Sequence, residues 1–185
     1  MGCLAGPVVV CAVGLTNSFY NKHHKKLRWL RESKLLSPHQ REKFAKELLA
    51  ENLAHAISYA YPKTIDKLNI YQASRLAMRS AIKKIKPPFY LRSVTLIDGN
   101  KKVPGLKGEQ TAIVKGDRKI FAIACASIIA KVFRDKMMTR YAKKYPGYGF
   151  EKHKGYGTKY HQSQLIALGP CEIHRQSFAP VAELV

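Results

Sequence analysis

A short β-branched stretch near the start of the chain most tightly constrains how this sequence can fold. Residues Pro7–Leu15 are almost entirely apolar and are bounded by Gly6 and by the polar pair Thr16-Asn17. The stretch falls well below the roughly 20 residues that a membrane-spanning helix requires. Its length and its β-branched side chains are typical of a buried strand. The sequence therefore predicts that the chain enters its core almost at once.

Strand-like and helix-like segments alternate along the rest of the sequence. Ser37 as N-cap, Pro38 in the first turn and Gln40 as capping-box partner mark a helix start, whereas the basic run Asn21–Arg28 is interpreted as a solvated loop. We expect helices from Ser37 to about Asn52, along the stripe Ile70–Ile85, from Lys119 to about Tyr145 and from Thr158 to Gly169, and strands at His55–Tyr61, Leu91–Ile97 and Thr111–Val114. This alternation indicates an α/β sheet with helices packed on it.

Charge narrows the class of partner. The 185 residues include 33 Lys and Arg against 12 Asp and Glu, a formal net charge of +21. Such an excess predicts a polyanionic partner, and nucleic acid is the leading candidate because bound Lys and Arg displace condensed counterions. A ribosomal or histone-like structural role would show the same charge.

The sequence also bears on cellular location. We expect no membrane span, and the opening Met1–Pro7 has neither the charged start of a signal peptide nor a myristoylation signal. A cytoplasmic location is therefore predicted. The four cysteines are far apart and lack metal-type spacing, so we expect reduced, mostly buried thiols.

Two aspartates follow predicted strands directly. Asp98 comes after the Leu91–Ile97 strand, and Asp117 comes shortly after Thr111–Val114. Ligand sites of open α/β sheets lie beyond the carboxyl ends of the strands, and paired carboxylates suit Mg²⁺ or Mn²⁺. An ordinary turn or surface ion pair remains the alternative for either residue.

Two later segments carry candidate binding residues. Tyr145–Thr158 mixes aromatic residues, glycines and bases, a combination suited to stacking and phosphate contact, although packed tyrosines in a turn-rich connection would look the same. His174 and Arg175 lie near the end of the chain and, taken alone, are most simply a surface pair.

The whole pattern resembles one known family, the type 2 ribonucleases H (ribonuclease HII). Nine blocks occur in the order of that family: Gly2–Val9, Ser33–Ser37, Leu68–Ile70, Leu96–Asn100, Val114–Asp117, Ala126–Lys131, Tyr145–Phe150, His153–Gly157 and His174–Phe178. The resemblance implies a ribonuclease H-like α/β fold, with a mixed sheet flanked by helices and a C-terminal helical portion. It divides the chain into a catalytic domain at 1–145 and a loop-helix portion at 146–185 packed on it.

The resemblance also implies a function. The expected activity is metal-dependent endonucleolytic cleavage of the RNA strand in RNA–DNA hybrids, leaving 5′-phosphomonoesters, and incision at single ribonucleotides in duplex DNA. Such an enzyme would serve DNA replication and repair, with Mg²⁺ or Mn²⁺ as cofactor, and we expect it to act as a monomer.

Site residues follow from the same resemblance. Family catalysis uses four acids around divalent metal, and Asp98 and Asp117 match two of them. Tyr156 is expected at the ribose, where it would help to sense the 2′-hydroxyl. The remaining predicted substrate contacts are Gly2, Lys34, Lys154, His174 and Arg175, with Asp135 and Ser33 ranked below them.

The start of the sequence departs from the family pattern, and this departure leaves three interpretations open. The family begins with a central strand that ends in an adjacent Asp-Glu pair, followed by a Gly-Arg-Gly turn, whereas this sequence begins at Met1-Gly2 and contains no adjacent Asp-Glu pair. A coding start placed too late would make the product a complete enzyme. A genuine short form would be a catalytically impaired hybrid-binding module, and a generic RNA-associated basic protein is the third alternative.

Overall fold

The computed structural model describes residues 2–25, 36–85 and 93–185. The described elements, in chain order, are β1 (Val8–Gly14), α1 (Asn17–His23), α2 (Pro38–Ala50), β2 (Ala54–Ala60), α3 (Pro62–Lys84), β3 (Thr95–Asp98), β4 (Gln110–Ile113), α4 (Gly116–Lys119), α5 (Phe121–Lys144), α6 (Phe150–His153), α7 (Lys159–Leu168) and a final 3-10 helix (Val181–Leu184). The predicted α/β class is confirmed.

The described strands form two small sheets. β1 pairs with β2, and β3 pairs with β4 in parallel, with Thr95 opposite Gln110 and Asp98 opposite Ile113. Of the strand predicted at Leu91–Ile97, residues 91 and 92 lie outside the described residues, Ser93 and Val94 are not part of a strand, and the observed strand is Thr95–Asp98. The parallel register brings the carboxyl ends of β3 and β4 to the same edge.

The chain divides into two compact units. We call the first the terminal unit; it contains the N-terminal segment up to Val9 together with Tyr59–Ser74 and Phe133–Val185. We call the second the central unit; it contains Val10–Ser58 and Arg75–Val132. The predicted boundary near Tyr145 stays a prediction.

The core of the central unit joins α2 to the first half of α5. Leu48 and Ala45 of α2 pack with Phe121, Ile128 and further buried residues of α5. The capping box that opens α2 is formed as predicted, because Ser37 Oγ accepts from the Gln40 amide and the Gln40 side chain accepts from the Ser37 amide. A local signal therefore fixes where this core helix begins.

Several predicted boundaries were wrong. The helix expected from Lys119 is interrupted at Ile120, whose extended backbone (φ −120°, ψ 122°) separates α4 from α5. α1 occupies part of the expected loop, with Thr16 Oγ1 accepting from the Phe19 amide as its N-cap. The helix expected along Ile70–Ile85 agrees with the break of α3 at Asn69 (φ 65°, ψ 161°), whose side chain accepts from the Gln72 amide and so caps the second half, but the first half, from Pro62, was not predicted.

The core of the terminal unit begins immediately before β1. Leu4, Ala5 and Pro7 are buried, whereas β1, expected to be a buried strand, is half-buried along its length. Ala5 packs with Met138, Phe150 and their neighbours, and Leu4 packs with Leu165 and Val181. The α7 prediction is confirmed, with Thr158 as N-cap and Gly169 (φ 72°) at the end.

The cysteine prediction is also confirmed. All four cysteines are free thiols; Cys3 and Cys125 are buried, and Cys11 and Cys171 are half-buried. Burial raises the pKa of Cys11 and of Cys125 to about 12, so these thiols are unreactive core residues. Within the described residues no helix is long and apolar enough to cross a membrane.

Candidate functional site

Asp98 is the last residue of β3, and the β3–β4 ladder fixes its position. The Thr95 amide donates to Glu109 O at 2.9 Å, and the Gly99 amide donates to Ile113 O at 3.0 Å, so backbone bonds pair the two segments at both ends of β3. The Asp98 side chain is exposed. The predicted placement of this carboxylate at a strand end is therefore what the structure has.

Asp117 lies in the first turn of α4, directly after β4 in the chain. Gly116, the residue before it, donates its amide to Asp98 Oδ1 at 2.8 Å. A Cβ on Gly116 would lie 2.6 Å from Ile123 Cδ1 and 3.4 Å from Asp98 Oδ1, so a larger residue here would displace the end of the Ile123 side chain. Asp117 is 6% exposed. One turn thus links the backbone beside Asp117 to the Asp98 carboxylate.

The donor chemistry at this edge suits a hard divalent cation. Carboxylate oxygens are the ligands that Mg²⁺ and Mn²⁺ prefer. Across the described ranges, however, no group of three or more His, Cys, Asp and Glu side chains is arranged to hold a metal ion. Asp98 and Asp117 therefore offer ligands of the right chemical type at the strand ends, without a third such side chain grouped with them among the described residues.

In the terminal unit, the segment before β1 is held by Arg134 of α5. This buried guanidinium donates from Nε to Pro7 O (3.1 Å), from Nη2 to Ala5 O (3.1 Å) and from Nη1 to Lys154 O (2.9 Å). One side chain therefore fastens the N-terminal segment and the 153–157 loop together. Arg134 was not among the predicted site residues, although it lies beside the predicted Asp135.

Backbone bonds complete this attachment. The Leu4 amide donates to Gly155 O at 2.8 Å, and the Gly6 amide donates to Ile173 O at 2.8 Å. Gly155 has φ +83°, and a Cβ there would lie 2.5 Å from Ala5 O, so the close approach of the N-terminal segment and the 153–157 loop requires glycine at this position. Isolated bridges pair Cys3 with Tyr156 and Ala5 with His174.

His174 and Arg175 are both 2% exposed, so the simple surface-pair alternative is wrong. The Arg175 amide donates to Leu4 O at 2.8 Å, and its Nε donates to Gly6 O at 3.0 Å. Burial lowers the pKa of Arg175 to about 10, which leaves the guanidinium charged at neutral pH. Its Nη1 is buried and has no hydrogen-bond partner among the described residues.

Tyr156 is the exposed member of this region, at 45%. The Arg134 guanidinium lies 5.9 Å from its ring centroid. Partial burial, and to a smaller extent the neighbouring Cys3, raises the pKa of Tyr156. The phenol therefore keeps its proton at neutral pH and can donate a hydrogen bond. Exposed Gly2 precedes Cys3, the bridge partner of Tyr156, and has open space where a Cβ would stand.

Lys154 is half-buried, and its ammonium is bonded within the unit. Its Nζ donates to Thr139 Oγ1 at 2.8 Å and to Glu151 O at 2.7 Å. An ammonium has three donors, so these two bonds still allow a third. Asp135 is half-buried on α5 beside Arg134, and it contributes to the raised pKa of Tyr156. Ser33 and Lys34 lie outside the described residues.

Sequence reasoning also missed Asp66, an acid of α3. Its carboxylate accepts from the Gln176 amide (3.1 Å), the Ser177 amide (2.9 Å) and Ser177 Oγ (2.6 Å). The contact spans more than a hundred residues of chain, so no local pattern could have revealed it. It holds the turn that follows Arg175.

Solved structures first define the class of protein. The model aligns with the ribonuclease H2 of Pyrococcus horikoshii OT3 at a TM-score of 0.72 and 26% identity, covering 99% of this chain and 92% of that one. It aligns with the ribonuclease HII of an Archaeoglobus fulgidus PCNA:RNase HII complex at a TM-score of 0.74 and 25% identity, covering 95% and 88%. The fold is therefore that of the ribonucleases H of type 2.

Sequence comparison then defines the family. The ribonuclease HII family model matches residues 1–181. A ribonuclease HII of Caldicellulosiruptor bescii is 46% identical over 179 residues, which is 96% of this chain and 81% of that protein. The chain belongs to the ribonuclease HII family and is a type 2 ribonuclease H.

Proposed function

We propose that this protein is a metal-dependent endonuclease that cleaves the RNA strand of RNA–DNA hybrids, leaves 5′-phosphomonoesters and incises duplex DNA at single ribonucleotides. The observation that carries the proposal is the pair of carboxylates, Asp98 and Asp117, after the adjacent parallel strands of a ribonuclease HII chain. The net charge of +21 supports binding to a nucleic-acid duplex.

Asp98 and Asp117 are the residues that would hold the cation, with Mg²⁺ or Mn²⁺ as the expected metal. When bound, the metal supplies activation of the attacking water and stabilisation of the leaving oxygen. Asp98 is oriented for this role because its Oδ1 accepts from the Gly116 amide. Asp117 lies in the first turn of α4. Gly116, directly before it, has no side chain and so leaves room for Ile123 and for the Asp98 carboxylate.

Recognition of the ribonucleotide is assigned to the terminal unit. Exposed Tyr156 would face the ribose, with the Gly2 backbone beside it and Lys154 as a phosphate contact. Arg175 remains a predicted phosphate contact from the family resemblance; in this structure its Nη1 is buried and has no hydrogen-bond partner among the described residues. Lys34, Ser33 and Asp135 remain predicted contacts from the family resemblance.

His174 receives a different assignment. Both of its ring nitrogens already bond inside the terminal unit, to the Cys171 amide and to His161. A direct phosphate contact would break these bonds, so we assign His174 to holding the loop. We further propose that the protein acts as a monomer in the cytoplasm, on ribonucleotides that DNA replication and repair must remove.

A hybrid-binding module without cleavage is the second candidate. It is favoured by one observation: the described residues bring no third acid, His or Cys together with Asp98 and Asp117 in a metal-binding group. Such a module would bind RNA–DNA hybrid with an affinity that falls steeply with salt, and would not nick it.

One experiment separates the two candidates. The protein and its Asp98→Asn variant are incubated with an RNA–DNA hybrid in Mg²⁺ or Mn²⁺, and nicking and binding are measured together. We expect nicking by the protein and a loss of about 100-fold or more in the variant, with binding retained. Preferential hybrid binding without nicking would favour the module; equal affinity for single-stranded RNA and hybrid would overturn both.

A second experiment tests Tyr156. The Tyr156→Ala variant should lose preference for a duplex containing one ribonucleotide over an all-DNA duplex, by about 10-fold, with less effect on general duplex affinity. Tyr160→Ala is the matched control, since Tyr160 is similarly exposed at 48%. An unchanged preference in Tyr156→Ala would remove Tyr156 from this role.

A further inference from the structure

Three histidines of the terminal unit lie behind the Tyr156 loop. His161 of α7 is fully buried, and its ring stacks on His153 with centroids 4.3 Å apart. His161 Nε2 lies 3.1 Å from His174 Nε2, and His161 Nδ1 lies 2.9 Å from Tyr156 O. The three rings therefore form a connected polar cluster beneath an exposed tyrosine.

The hydrogen-bond partners determine where each proton sits. The Cys171 amide donates to His174 Nδ1 at 2.9 Å, so His174 carries its proton on Nε2 and donates it to His161 Nε2. His161 then carries its proton on Nδ1, where a carbonyl oxygen, Tyr156 O, accepts it. Donors and acceptors match at every step from Cys171 to Tyr156.

His153 follows the same logic on the other side of the loop. Its Nδ1 accepts from the Gly155 amide at 3.1 Å, so its Nε2 carries the proton and donates to Tyr148 O at 2.7 Å. The residues before and at Tyr156 are thus each bonded to a histidine with one defined tautomer.

Burial keeps the His161–His174 pair neutral. It lowers the pKa of His161, and it lowers the pKa of His174 to about 4. The titratable groups that act on this pair are histidines: His153 disfavours a charge on both rings, and His161 disfavours a charge on His174. Rings of Phe150 and Tyr148 provide the remaining aromatic contacts.

The Tyr156 carbonyl is the endpoint of this chain of bonds. It accepts from the Thr158 amide at 2.8 Å as well as from His161, so both of its lone pairs are used. The peptide that carries the exposed Tyr156 ring is therefore fixed from beneath, and the Lys154 carbonyl, two residues earlier, is fixed by Arg134.

We propose that His161 is a positioning residue for Tyr156, and that His174 acts behind it by setting the His161 tautomer. His161 touches no substrate; it orients the backbone from which Tyr156 reaches the ribonucleotide. This inference rests on the proposed role of Tyr156 in sensing the ribose.

The test uses a matched pair of amide variants. The His161→Asn amide nitrogen can take the place of Nδ1 and keep the bond to Tyr156 O, whereas the His161→Gln amide reaches the place of Nε2 and cannot. Affinities for a duplex with one ribonucleotide and for an all-DNA duplex are measured in EDTA, which prevents nicking. We expect the preference to survive in His161→Asn and to fall about 10-fold in His161→Gln.

A spectroscopic measurement tests the wild-type chain directly. Two-bond proton–nitrogen NMR correlations should show the Nδ1–H form for His161 and the Nε2–H form for His174. A His161 ring protonated on Nε2 would overturn the inference even if neither variant folds. Equal unfolding of the two variants in urea, with unequal preference, would separate positioning from stability.

The failures are distinguishable. A wild-type protein without ribonucleotide preference overturns the proposed role of Tyr156, and this inference with it. A wild-type preference that is retained in His161→Gln overturns the positioning role alone.

Discussion

The two candidate regions are stabilised by different kinds of interaction. In the terminal unit, the segment before β1 is held by buried charged side chains, Arg134 and Arg175, that donate to backbone carbonyls. In the central unit, Asp98 is placed by the β3–β4 backbone ladder, with one side-chain bond to Gly116. The first region thus depends on two buried arginine side chains, and the second depends on regular backbone pairing.

The two kinds of interaction differ in how easily one substitution disrupts them. Burying a guanidinium costs desolvation energy, and its loss leaves several carbonyls without donors at once. A backbone ladder survives most side-chain substitutions, because its donors and acceptors belong to every residue. We therefore expect single substitutions to destabilise the 153–157 loop, which carries Tyr156, far more readily than the turn at Gly116 and Asp117.

The largest expected effect is that of Arg134→Ala. Removing three hydrogen bonds to carbonyls, two of them buried, should lower the free energy of unfolding of the terminal unit by about 4 kcal/mol. Hydrogen exchange checks this locally: the Leu4 and Gly6 amides should lose protection, whereas Thr95 and Gly99 should not. Lys136→Ala, an exposed site on the same helix, is the control. An equal loss of amide protection in both units would show that Arg134 does not stabilise the terminal unit selectively.

Acid should also loosen the terminal unit selectively. The pKa of His174 is about 4 in the folded protein against 6.5 as its ordinary value, so between these values the unfolded chain binds more protons. The stabilisation is therefore complete above about pH 6.5 and is lost as pH falls toward 4, by about 3 kcal/mol. His161 shifts in the same direction.

The measurement for this pH effect is amide exchange between pH 6.5 and 5, above the usual range of Asp and Glu. Protection at Leu4 and Gly6 should fall with pH relative to that at Thr95 and Gly99. Constant relative protection over this range would contradict the assignment of neutral buried histidines.

The smallest expected effect concerns a local signal in the central unit. Ser37→Ala removes the N-cap of α2 and should lower the free energy of unfolding by about 1 kcal/mol, as measured in urea. Lys43→Ala, at an exposed position inside the same helix, should change it by less than about 0.5 kcal/mol. A Ser37→Ala loss as large as that of Arg134→Ala would show that the central unit is no more robust than the terminal one.

Elements with local signals were predictable from sequence. The caps at Ser37 and Thr158 use side chains that bond within three residues, so the sequence contains both partners. The placement of Asp98 at the end of β3 followed from a strand pattern and a turn. The break at Ile120 was not predictable in this way, because burial of Phe121 in the central core competes with helix continuity.

Interactions between distant segments were not predictable. His174 and Arg175 read as polar surface residues, yet both are buried because Leu4, Gly6 and His161 supply their partners. Nothing near Asp66 in the chain indicates its bonds to Ser177. Burial of a polar group is decided by whether partners arrive from elsewhere in the fold.

By itself the sequence determined the α/β class, the family resemblance, the basic charge and the order of elements that carries Asp98, Asp117 and Tyr156. Tertiary packing, in contrast, places Arg134 against the N-terminal segment, keeps His174 neutral and internal, and brings His161 to the Tyr156 carbonyl. The physical reason is the distance along the chain between the groups that interact. Periodicity, capping and net charge are properties of neighbouring residues or of the whole composition, whereas a desolvated hydrogen bond exists only once packing has brought its two ends together.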